Sequence, residues 1–231
     1  MKKRFTYLLL LIGIAIMSSC NNQERGWKSL FDGQTLSGWI DDKGGCYVED
    51  NAIVGEMSKV MRYLRTEQKF DNFILEIDFK VDSGCNSGVQ LRSYYLENDK
   101  TCNYLAGTGG KLVPGERTYK PGEFCGYQIE IECSDRAWCG GFFDQGGRGW
   151  LQPLIHDEPA RNTLKQNDWN HFKIIADKDH FQSWLNGAQA TDFYDKELAS
   201  AGYIGLQFHS TNVEKIIGRK IRFKNIRIKE L

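Results

Sequence analysis

The 231-residue sequence has few prolines and lacks the short motifs that mark several common enzyme classes. It contains 4 prolines, no C-x-x-C pair, and no G-x-S-x-G, phosphate-loop or H-E-x-x-H segment. These absences argue against a serine-hydrolase elbow, a nucleotide-binding loop, a zinc-protease helix and a thioredoxin-like centre. The 30 basic residues are balanced by 30 acidic ones. Because the chain lacks the positive charge that nucleic-acid binders need, we expect no nucleic-acid partner.

Long apolar runs are also missing, apart from one near the N-terminus. A basic segment at 2–4 precedes an apolar run at 8–17, and two serines then lead to Cys20. The run is too short for the roughly 20 apolar residues of a membrane-spanning helix. Small residues before a cysteine instead indicate a bacterial lipoprotein signal, in which Cys20 becomes the lipidated first residue of the mature chain. An ordinary cleaved secretion signal is the alternative.

These features divide the chain into three parts. Residues 1–19 are predicted to be the signal peptide, 20–26 a lipid-anchored tether and 27–231 one β-domain. We expect an exported protein held on a bacterial membrane, above all the outer membrane, facing the periplasm or the cell surface. The lipid anchor would be its one contact with the membrane.

The remaining cysteines allow many disulfide pairings. In an oxidising compartment some of them can pair, and Cys133 with Cys139 is the first candidate because the two are close in sequence. The alternative is that they are buried free thiols that pack as small apolar side chains. The six are Cys46, Cys85, Cys102, Cys125, Cys133 and Cys139.

Alternation of apolar and polar residues is the main structural signal beyond residue 45. Segment 73–81 has an apolar residue at every second position, which predicts a strand with one buried face. Asp50-Asn51 and Asn186-Gly187 predict tight hairpin turns, and a change of alternation near Asn225 predicts a β-bulge. Many short strands at this spacing, without an amphipathic helix, predict an all-β sandwich of two antiparallel sheets.

The segment 96–122 breaks this rhythm, because it is rich in glycine and polar residues. Loops this long are uncommon in compact domains, and those that occur often bind a ligand or are disordered. We interpret this one as a binding loop.

Three predicted strands carry polar residues on a shared face, which a purely structural sheet does not need. If the strands are neighbours, these side chains line a groove whose donors and acceptors suit the hydroxyls of a sugar. The alternative is that each polar face is merely solvated. The residues are Gln90 and Arg92 in 86–92, Gln128, Glu130 and Glu132 in 126–132, and Gln207 and His209 in 205–209.

A sugar-binding groove also needs an aromatic platform against which a sugar ring can pack. Four aromatic residues are candidates for it, and Asp144 is a further candidate for binding hydroxyls. For His209, a structural histidine is an equal alternative to a functional one. The aromatic candidates are Trp138, Phe143, Trp150 and Trp184.

Several blocks of the sequence resemble the 3-keto-disaccharide hydrolase family, long known as a domain of unknown function. The resemblance covers residues 27–231 and implies a concanavalin A-like jelly roll. There is one departure from the family, whose central strand commonly reads G-Y-E-x-Q: Gln128 and Glu130 have exchanged the acid and the amide here. The matching blocks are SLFDGQTLSGW at 29–39, Asn86-Ser87-Gly88 with Arg92, Trp169-Asn170, Asn186-Gly187, GYIGLQFH at 202–209 and FKNI at 223–226.

The resemblance also implies cleavage of glycosides that are already oxidised at C3 of the sugar. A C3 ketone acidifies the C2 proton, so a base can remove it, the enolate can expel the glycosidic oxygen, and water can then add. Such a site needs a general base and a group that stabilises the oxyanion. We assign Glu130 as the base and His209 as an alternative base or leaving-group acid. Arg92 is assigned to hold the oxyanion or to orient a hydroxyl. The predicted substrate-binding residues are Gln90, Gln128, Glu132, Gln207, Asp144 and Trp138.

Two other functions fit the same residues. Ordinary hydrolysis by two carboxylates suits a groove of this kind, and a non-catalytic carbohydrate-binding module needs only the aromatic residues. The expected partner is in every case an oligosaccharide or glycoside. No cofactor is demanded, although an acidic groove permits a divalent metal ion.

Overall fold

The computed structural model describes residues 25–156, 158–197 and 200–231. The predicted signal peptide at 1–19 and the lipidation site Cys20 lie outside these residues. Within the described part of the chain, no helix is long and apolar enough to cross a membrane.

One of the two large sheets has eight strands and is antiparallel throughout. Its strand order is β15-β14-β13-β6-β17-β4-β3, and β1 also pairs with β17. The strands are β1 (Trp27–Ser29), β3 (Tyr47–Glu49), β4 (Ala52–Glu56), β6 (Phe73–Val81), β13 (Asn170–Asp177), β14 (His180–Leu185), β15 (Ala188–Tyr194) and β17 (Lys220–Glu230).

The other sheet has nine strands, in the order β2-β5-β16-β7-β10-β11-β12-β8-β9. All its pairings are antiparallel except that of β12 with β8, which is parallel. The strands are β2 (Trp39–Asp41), β5 (Arg62–Phe70), β7 (Asn86–Tyr95), β8 (Lys100–Thr108), β9 (Lys111–Tyr119), β10 (Phe124–Glu132), β11 (Phe142–Gln145), β12 (Gly149–Gln152) and β16 (Gly202–Phe208). Two 3₁₀ turns, Pro159–Asn162 and Glu214–Ile216, complete the described structure.

The core lies between the two sheets and is built from alternate residues of their strands. In β6 every second residue from Phe73 to Val81 is buried, while the residues between them are partly exposed, as the sequence predicts. Ile129 and Ile131 of β10 and Leu206 of β16 contribute to the same core from the opposite sheet. The prediction of an all-β sandwich is therefore confirmed, and so is its antiparallel character except at β12.

The predicted turns and the predicted bulge are present. Asp50 and Asn51 both have positive φ and join β3 to β4, and Asn186 and Gly187 do the same between β14 and β15. Asn225 also has positive φ, at a register shift in the pairing of β17 with β6. At these points asparagine and glycine adopt a conformation that most residues disfavour, so the signal could be read from the sequence.

The segment 96–122 is not a long loop, so that prediction is wrong. Most of it forms the hairpin of β8 and β9, which pair along their whole length. The hairpin extends the nine-stranded sheet beyond β12. Most of its residues are exposed or partly exposed, so its composition lacks the apolar alternation that reveals a half-buried strand.

The predicted disulfide between Cys133 and Cys139 is also absent. All six described cysteines are free thiols, and Cys85, Cys125 and Cys139 are buried. The alternative, buried free thiols that pack as small apolar side chains, is observed for these three buried cysteines.

Candidate functional site

Strands β16, β7 and β10 are neighbours in the nine-stranded sheet, as the predicted groove requires. Gln207 and Glu130 both lie opposite Gly88, so that the three residues form one row across the sheet. Adjacent strands are about 4.8 Å apart, and only a hydrogen atom projects from the glycine between the two polar side chains. We call the sheet surface that points away from the core the polar face; it carries Asn86, Gly88, Gln90, Gln128, Glu130, Glu132, Gly205 and Gln207.

Glu130 lies near the middle of the polar face and is only 5% exposed. Its Oε1 accepts a hydrogen bond from Asn86 Nδ2 at 2.6 Å, and its Oε2 accepts one from Gln128 Nε2 at 2.8 Å. Burial raises the pKa of Glu130 to about 7, although both hydrogen bonds oppose the rise. A carboxyl with a pKa near neutrality can both take up and release a proton at physiological pH.

A chain of amides holds this carboxyl in place. Gln90 Nε2 donates to Gln128 Oε1, and Gln128 in turn donates to Glu130. Gly88 makes room for the chain, because a Cβ at this position would lie 2.4 Å from Gln128 Cδ. Gln90 and Gln128 are both buried, so their amides can orient Glu130 with little competition from water.

Glu132 has a different environment on the same strand face. Arg136 donates to both its carboxylate oxygens, and the backbone N–H of Trp138 donates to Oε1 at 2.9 Å. The Arg136 guanidinium also lies over the rings of Trp138 and Trp150. Glu132 is therefore held by a cation and by the backbone, while Glu130 is held by neutral amides.

Tyr63 of β5 lies opposite Gln207, at the other side of the polar face from Glu132. Its hydroxyl accepts a hydrogen bond from Gln207 Nε2 at 3.2 Å and donates to Met61 Sδ at 3.0 Å. Burial raises the pKa of Tyr63, and the charge of Glu130 is among the groups that add to the rise. The hydroxyl thus stays protonated, and its acceptor is a weakly accepting thioether.

A cavity of about 230 Å³ opens beside Tyr63. Phe124 separates it from Gly205: a Cβ on that glycine would lie 2.7 Å from the Phe124 ring. The Phe124 ring lies 5.0 Å from that of Tyr63 and 5.1 Å from that of Tyr95. Three aromatic rings and several charged groups around one cavity suit a sugar ring. The lining residues are Asp42, Lys43, Met61, Tyr63, Tyr95, Gly122, Glu123, Phe124 and Gln145.

Gln207 separates this cavity from Glu130 and is 1% exposed. Its Nε2 is bound to Tyr63, whereas its Oε1 is buried and has no hydrogen-bond partner. A buried carbonyl oxygen without a donor is costly, and a ligand hydroxyl could supply the missing donor.

Arg92 is not on the polar face, so the predicted shared face with Gln90 is wrong. The backbone of Arg92 has a φ of +47°, which breaks the alternation of β7 and turns the side chain toward the other sheet. Its guanidinium donates to the carbonyl oxygens of Asp71 and Lys178, at 2.7 and 2.6 Å, and lies over the ring of Phe181. The geometry gives Arg92 a structural place between the sheets and removes the reason for assigning it to the oxyanion.

Asp144 also lies away from the polar face, on the side of its strand that faces Tyr127 and the interior. It accepts hydrogen bonds from the backbone N–H of Arg148 at 3.1 Å and from its Nε at 2.7 Å. Arg148 also bonds Asp195 at 2.6 Å. The predicted hydroxyl-binding role of Asp144 therefore has no geometric support.

His209 follows the last residue of β16 and is partly exposed. Its Nδ1 lies 2.6 Å from the carbonyl oxygen of Ser210. A carbonyl only accepts, so Nδ1 carries the hydrogen and Nε2 is left as an acceptor when the ring is neutral.

The predicted aromatic platform is not open to a sugar ring, because Trp138 and Trp150 are buried at 1% and 4% exposure and belong to the core cluster. Trp138, Phe143 and Trp150 cluster beside Glu132, with Trp150 at 4.8 Å from Trp138 and 5.2 Å from Phe143 between ring centroids. Trp184 belongs to the eight-stranded sheet, where its ring lies under the ammonium group of Lys173. Trp184 is thus excluded from the site.

Sequence reasoning missed Tyr63, Phe124 and Asn86 as site residues. Tyr63 and Phe124 are aromatic residues in strands, where aromatics are common for packing alone, so neither carried a signal. Asn86 begins a block that resembles the family, and that position could have been read as functional.

No cluster of metal ligands supports a metal at the site. Among residues 25–156, 158–197 and 200–231, no three His, Cys, Asp or Glu side chains are grouped so as to hold a metal ion. The carboxylates of Glu130 and Glu132 are instead bound to amides and to Arg136.

Comparison with solved structures finds proteins with the same kind of β-sandwich fold. A candidate glycosyl hydrolase from Parabacteroides distasonis ATCC 8503 is 20% identical, with a TM-score of 0.59 over 89% of this chain and 94% of its own. The carbohydrate-binding module CBM66 from Bacillus subtilis is 15% identical, with a TM-score of 0.54 over 85% and 98%. A Bacillus subtilis protein of unknown function with a galectin-like fold is 13% identical, with a TM-score of 0.53 over 84% and 90%. At these identities the likeness concerns the fold alone, and it confirms the predicted jelly-roll class.

Sequence comparison gives the family. No sequence among curated proteins matches this chain. The model of the 3-keto-alpha-glucoside-1,2-lyase-like domain matches residues 26–229, which is nearly the whole described structure. The resemblance seen in the sequence blocks is thereby confirmed, and the chain belongs to the 3-keto-alpha-glucoside-1,2-lyase-like family.

Proposed function

We propose that this protein cleaves the glycosidic bond of 3-keto-glycosides by removing the C2 proton, eliminating the aglycone and then adding water. The observation that carries the proposal is Glu130, a buried carboxyl whose pKa is raised to about 7 and whose two oxygens face amide donors. A base of this strength is suited to a carbon acid next to a ketone, since general bases work best near the operating pH.

Each step has a defined electron and proton balance. Glu130 takes the C2 proton, and the C–H electron pair forms the enolate with the C3 carbonyl. The enolate then re-forms the ketone and expels the oxygen at C1, leaving a C1–C2 double bond. The departing oxygen takes a proton from His209 Nε2, a step that requires the imidazolium form because Nε2 of the neutral ring carries no hydrogen. Water then adds its hydroxide at C1 and returns its other proton to His209, and the proton held by Glu130 returns to C2.

The enolate oxygen needs a hydrogen-bond donor, and Tyr63 is the better candidate than Arg92. The Tyr63 hydroxyl donates only to the Met61 thioether in the free protein, and its raised pKa keeps it protonated. An oxyanion is a far stronger acceptor than a thioether, so the bond would be made chiefly as charge develops. Gln207 donates to the same hydroxyl through Nε2. Its Oε1, which has no hydrogen-bond partner, would accept a hydrogen bond from a substrate hydroxyl.

Deuterium exchange tests the proton abstraction separately from bond cleavage. In D₂O, a 3-keto-glucoside recovered before complete turnover should carry deuterium at C2 whenever reprotonation competes with elimination. A substrate deuterated at C2 should in addition react more slowly than the unlabelled one. Full activity without exchange and without an isotope effect would contradict the enolate step.

The variant Tyr63→Phe tests the oxyanion donor. It should fold normally and lower kcat about 100-fold or more, as loss of an oxyanion donor does.

A non-catalytic carbohydrate-binding role is the second candidate. The cavity formed by Tyr63, Tyr95 and Phe124 favours it, because an aromatic-lined cavity can bind a sugar without any chemistry. Saturable sugar binding, with no turnover of oxidised or unoxidised glycosides, would support this role over the proposed one.

Ordinary two-carboxylate hydrolysis is less well supported. Glu130 and Glu132 are next neighbours on one strand face, but Glu132 is engaged by Arg136 and by the backbone of Trp138. The second carboxyl is therefore not free to act as a nucleophile or base. Release of aglycone from unoxidised glycosides would favour this mechanism.

We also propose that the protein is exported and anchored to a membrane through a lipid on Cys20. Support comes from the basic, apolar and small residues that precede this cysteine. The variant Cys20→Ser, expressed as the full chain, should no longer incorporate radiolabelled fatty acid. Equal labelling of both proteins would overturn the assignment.

A further inference from the structure

Two cysteines lie just beyond the paired ends of β7 and β10, next to the candidate site. The last register pair between these strands joins Asn86 to Glu132. Cys85 precedes Asn86 and Cys133 follows Glu132, so one further step in the same antiparallel register places the two cysteines opposite each other. Residues opposite each other in antiparallel strands have Cα atoms about 4.5–5.5 Å apart, within the range of about 4.4–6.8 Å that a disulfide spans.

Both side chains also point in the same direction. Alternation along β10 sends Glu130 and Glu132 to the polar face and Ile131 to the core, which places Cys133 on the core side. Cys85 is 2% exposed and belongs to the core cluster, while Cys133 is partly buried and packs against that cluster. The two thiols therefore share a face as well as a register.

The electrostatic coupling of the thiols agrees with this geometry. Burial raises the pKa of Cys133 to about 12, and the nearby thiol of Cys85 is the next contributor. Burial likewise raises the pKa of Cys85 to about 11. Because little thiolate exists at neutral pH, exchange with an external disulfide should be slow there and faster at higher pH.

We propose that Cys85 and Cys133 are a modification site, at which a thiol–disulfide oxidant forms a cross-strand disulfide. The Cys133 sulfur, the more exposed of the two, attacks an external disulfide, breaks its S–S bond and releases one thiol. Cys85 then attacks the Cys133 sulfur of the mixed disulfide and releases the second thiol. Two protein thiols are oxidised, one disulfide is reduced, and the two protons leave with the released thiols.

The bond would fasten together the strand ends that carry Asn86 and Glu132. Asn86 donates to Glu130, and Glu132 is paired with Arg136. The disulfide would therefore restrict the motion of the strand ends beside the Glu130 carboxyl. It would also close a loop of roughly 50 residues, a length at which a cross-link restricts the unfolded chain substantially. This inference does not rest on the proposed activity.

Cys139 is the competitor for Cys133. It is buried, and the thiol of Cys133 is one of the groups that raise its pKa after burial. Cys139, however, lies in the turn after Trp138, whereas Cys85 is aligned by the strand register. Peptide mapping separates the two pairings.

The test uses the full chain carrying Cys125→Ser, so that Cys133 is the single cysteine in its tryptic peptide, 118–136. The protein is oxidised with glutathione disulfide, free thiols are alkylated, and non-reducing peptides are analysed by mass spectrometry. Peptide 81–92, which contains Cys85, should appear linked to 118–136, and reduction should release both. The link should persist when Cys139→Ser is added and should vanish when Cys85→Ser is added.

Stability gives a second measurement that does not depend on peptide recovery. Oxidation should raise Tm by about 5–10 °C in the chain with Cys139→Ser and leave Tm unchanged in the chain with Cys133→Ser. A link between 118–136 and 137–148, or alkylation of both Cys85 and Cys133 after oxidation, would overturn the proposal.

Discussion

The Glu130 carboxyl shows how the identity of its hydrogen-bond donors sets the chemistry of one residue. Glu130 and Glu132 lie on one strand face and are equally buried, at 5% exposure. Glu132 is paired with the Arg136 cation, which stabilises the charged carboxylate. Glu130 receives only the amides of Asn86 and Gln128, so burial dominates and raises its pKa to about 7. The exchange of acid and amide in this strand therefore places the acid where neutral donors surround it.

This raised pKa predicts a characteristic pH dependence of stability. The folded protein holds a proton on Glu130 up to a pH of about 7, whereas the unfolded chain loses it near the ordinary glutamate pKa of 4.5. Between these values the folded state binds more protons, so its stability falls as pH rises. Relative to wild type, Glu130→Gln should thus become more stable by on the order of 3 kcal/mol from pH about 4.5 to pH about 7, with no further change above.

Urea unfolding of both proteins across this pH range measures the difference. A constant difference at every pH would mean that Glu130 titrates normally and would contradict its assignment as a tuned base.

Asn86 provides the second prediction at this scale. Its hydrogen bond to Oε1, at 2.6 Å, lowers the pKa of Glu130 against the effect of burial. In Asn86→Ala the pKa should rise, and the pH at which kcat/KM reaches half its maximum should move upward by about one unit. Asn98→Ala, which changes an exposed asparagine, is the matched control and should leave the profile in place. A lower maximum without any shift would indicate a merely structural role for Asn86.

At the scale of strands, most elements could be predicted because the local signals are strong. Alternation in β6 and the positive-φ turns at Asp50-Asn51 and Asn186-Gly187 are visible in short stretches of sequence. The pairing of β16 with β7, by contrast, joins residues more than 100 positions apart and is set by the packing of the whole sandwich. The sequence indicated which faces were polar, and only the structure shows that they adjoin.

Arg92 shows why alternation alone is an unsafe guide to a face. It is two residues beyond Gln90, yet a single positive φ turns its side chain to the opposite side. Most non-glycine residues avoid that conformation, so a prediction based on strand alternation did not anticipate it. Tyr63 was missed for the reverse reason, since an aromatic residue in a strand looks like a packing residue.

The position of Arg92 predicts a loss of stability without a loss of chemistry. Arg92→Ala removes donors from the buried carbonyl oxygens of Asp71 and Lys178 and should cost about 3 kcal/mol in unfolding free energy. Arg25→Ala, at an exposed position before β1, should cost less than about 0.5 kcal/mol. Activity per folded molecule should be similar for both, as measured below the unfolding transition. A large fall in kcat for folded Arg92→Ala would restore Arg92 to the active site.

Gly88 permits a test of the amide chain through the strand that carries it. An added methyl group would overlap Gln128, whose Cδ lies 2.4 Å from the ideal Cβ position. Gly88→Ala should therefore displace Gln128 from Glu130 and lower kcat/KM about tenfold, the equivalent of one good hydrogen bond. Gly115→Ala in β9, where no atom lies within 4 Å of the added Cβ, is the control and should retain activity. Equal activity of the two variants would show that the amide chain is dispensable.

At the scale of the whole molecule, the two sheets have different tasks. The eight-stranded sheet contributes one wall of the core, and the nine-stranded sheet contributes the other wall and the polar face. Arg92 and the group formed by Asp144, Arg148 and Asp195 stabilise the interior side, so their charges are used for structure. On the polar face, the carboxyl of Glu130 differs from that of Glu132 because its hydrogen-bond partners are neutral amides and not a cation.

The role of Glu130 in cleaving oxidised glycosides is tested by comparing matched 3-keto and unoxidised glucosides with the same aglycone. The purified full chain and its Glu130→Gln variant are incubated with each substrate, and aglycone release is followed with time. If Glu130 is the base, aglycone should be released from the 3-keto glucoside only and by wild type only, with both proteins equally folded by circular dichroism. Equal release from the unoxidised glucoside, or undiminished release by Glu130→Gln, would contradict this role.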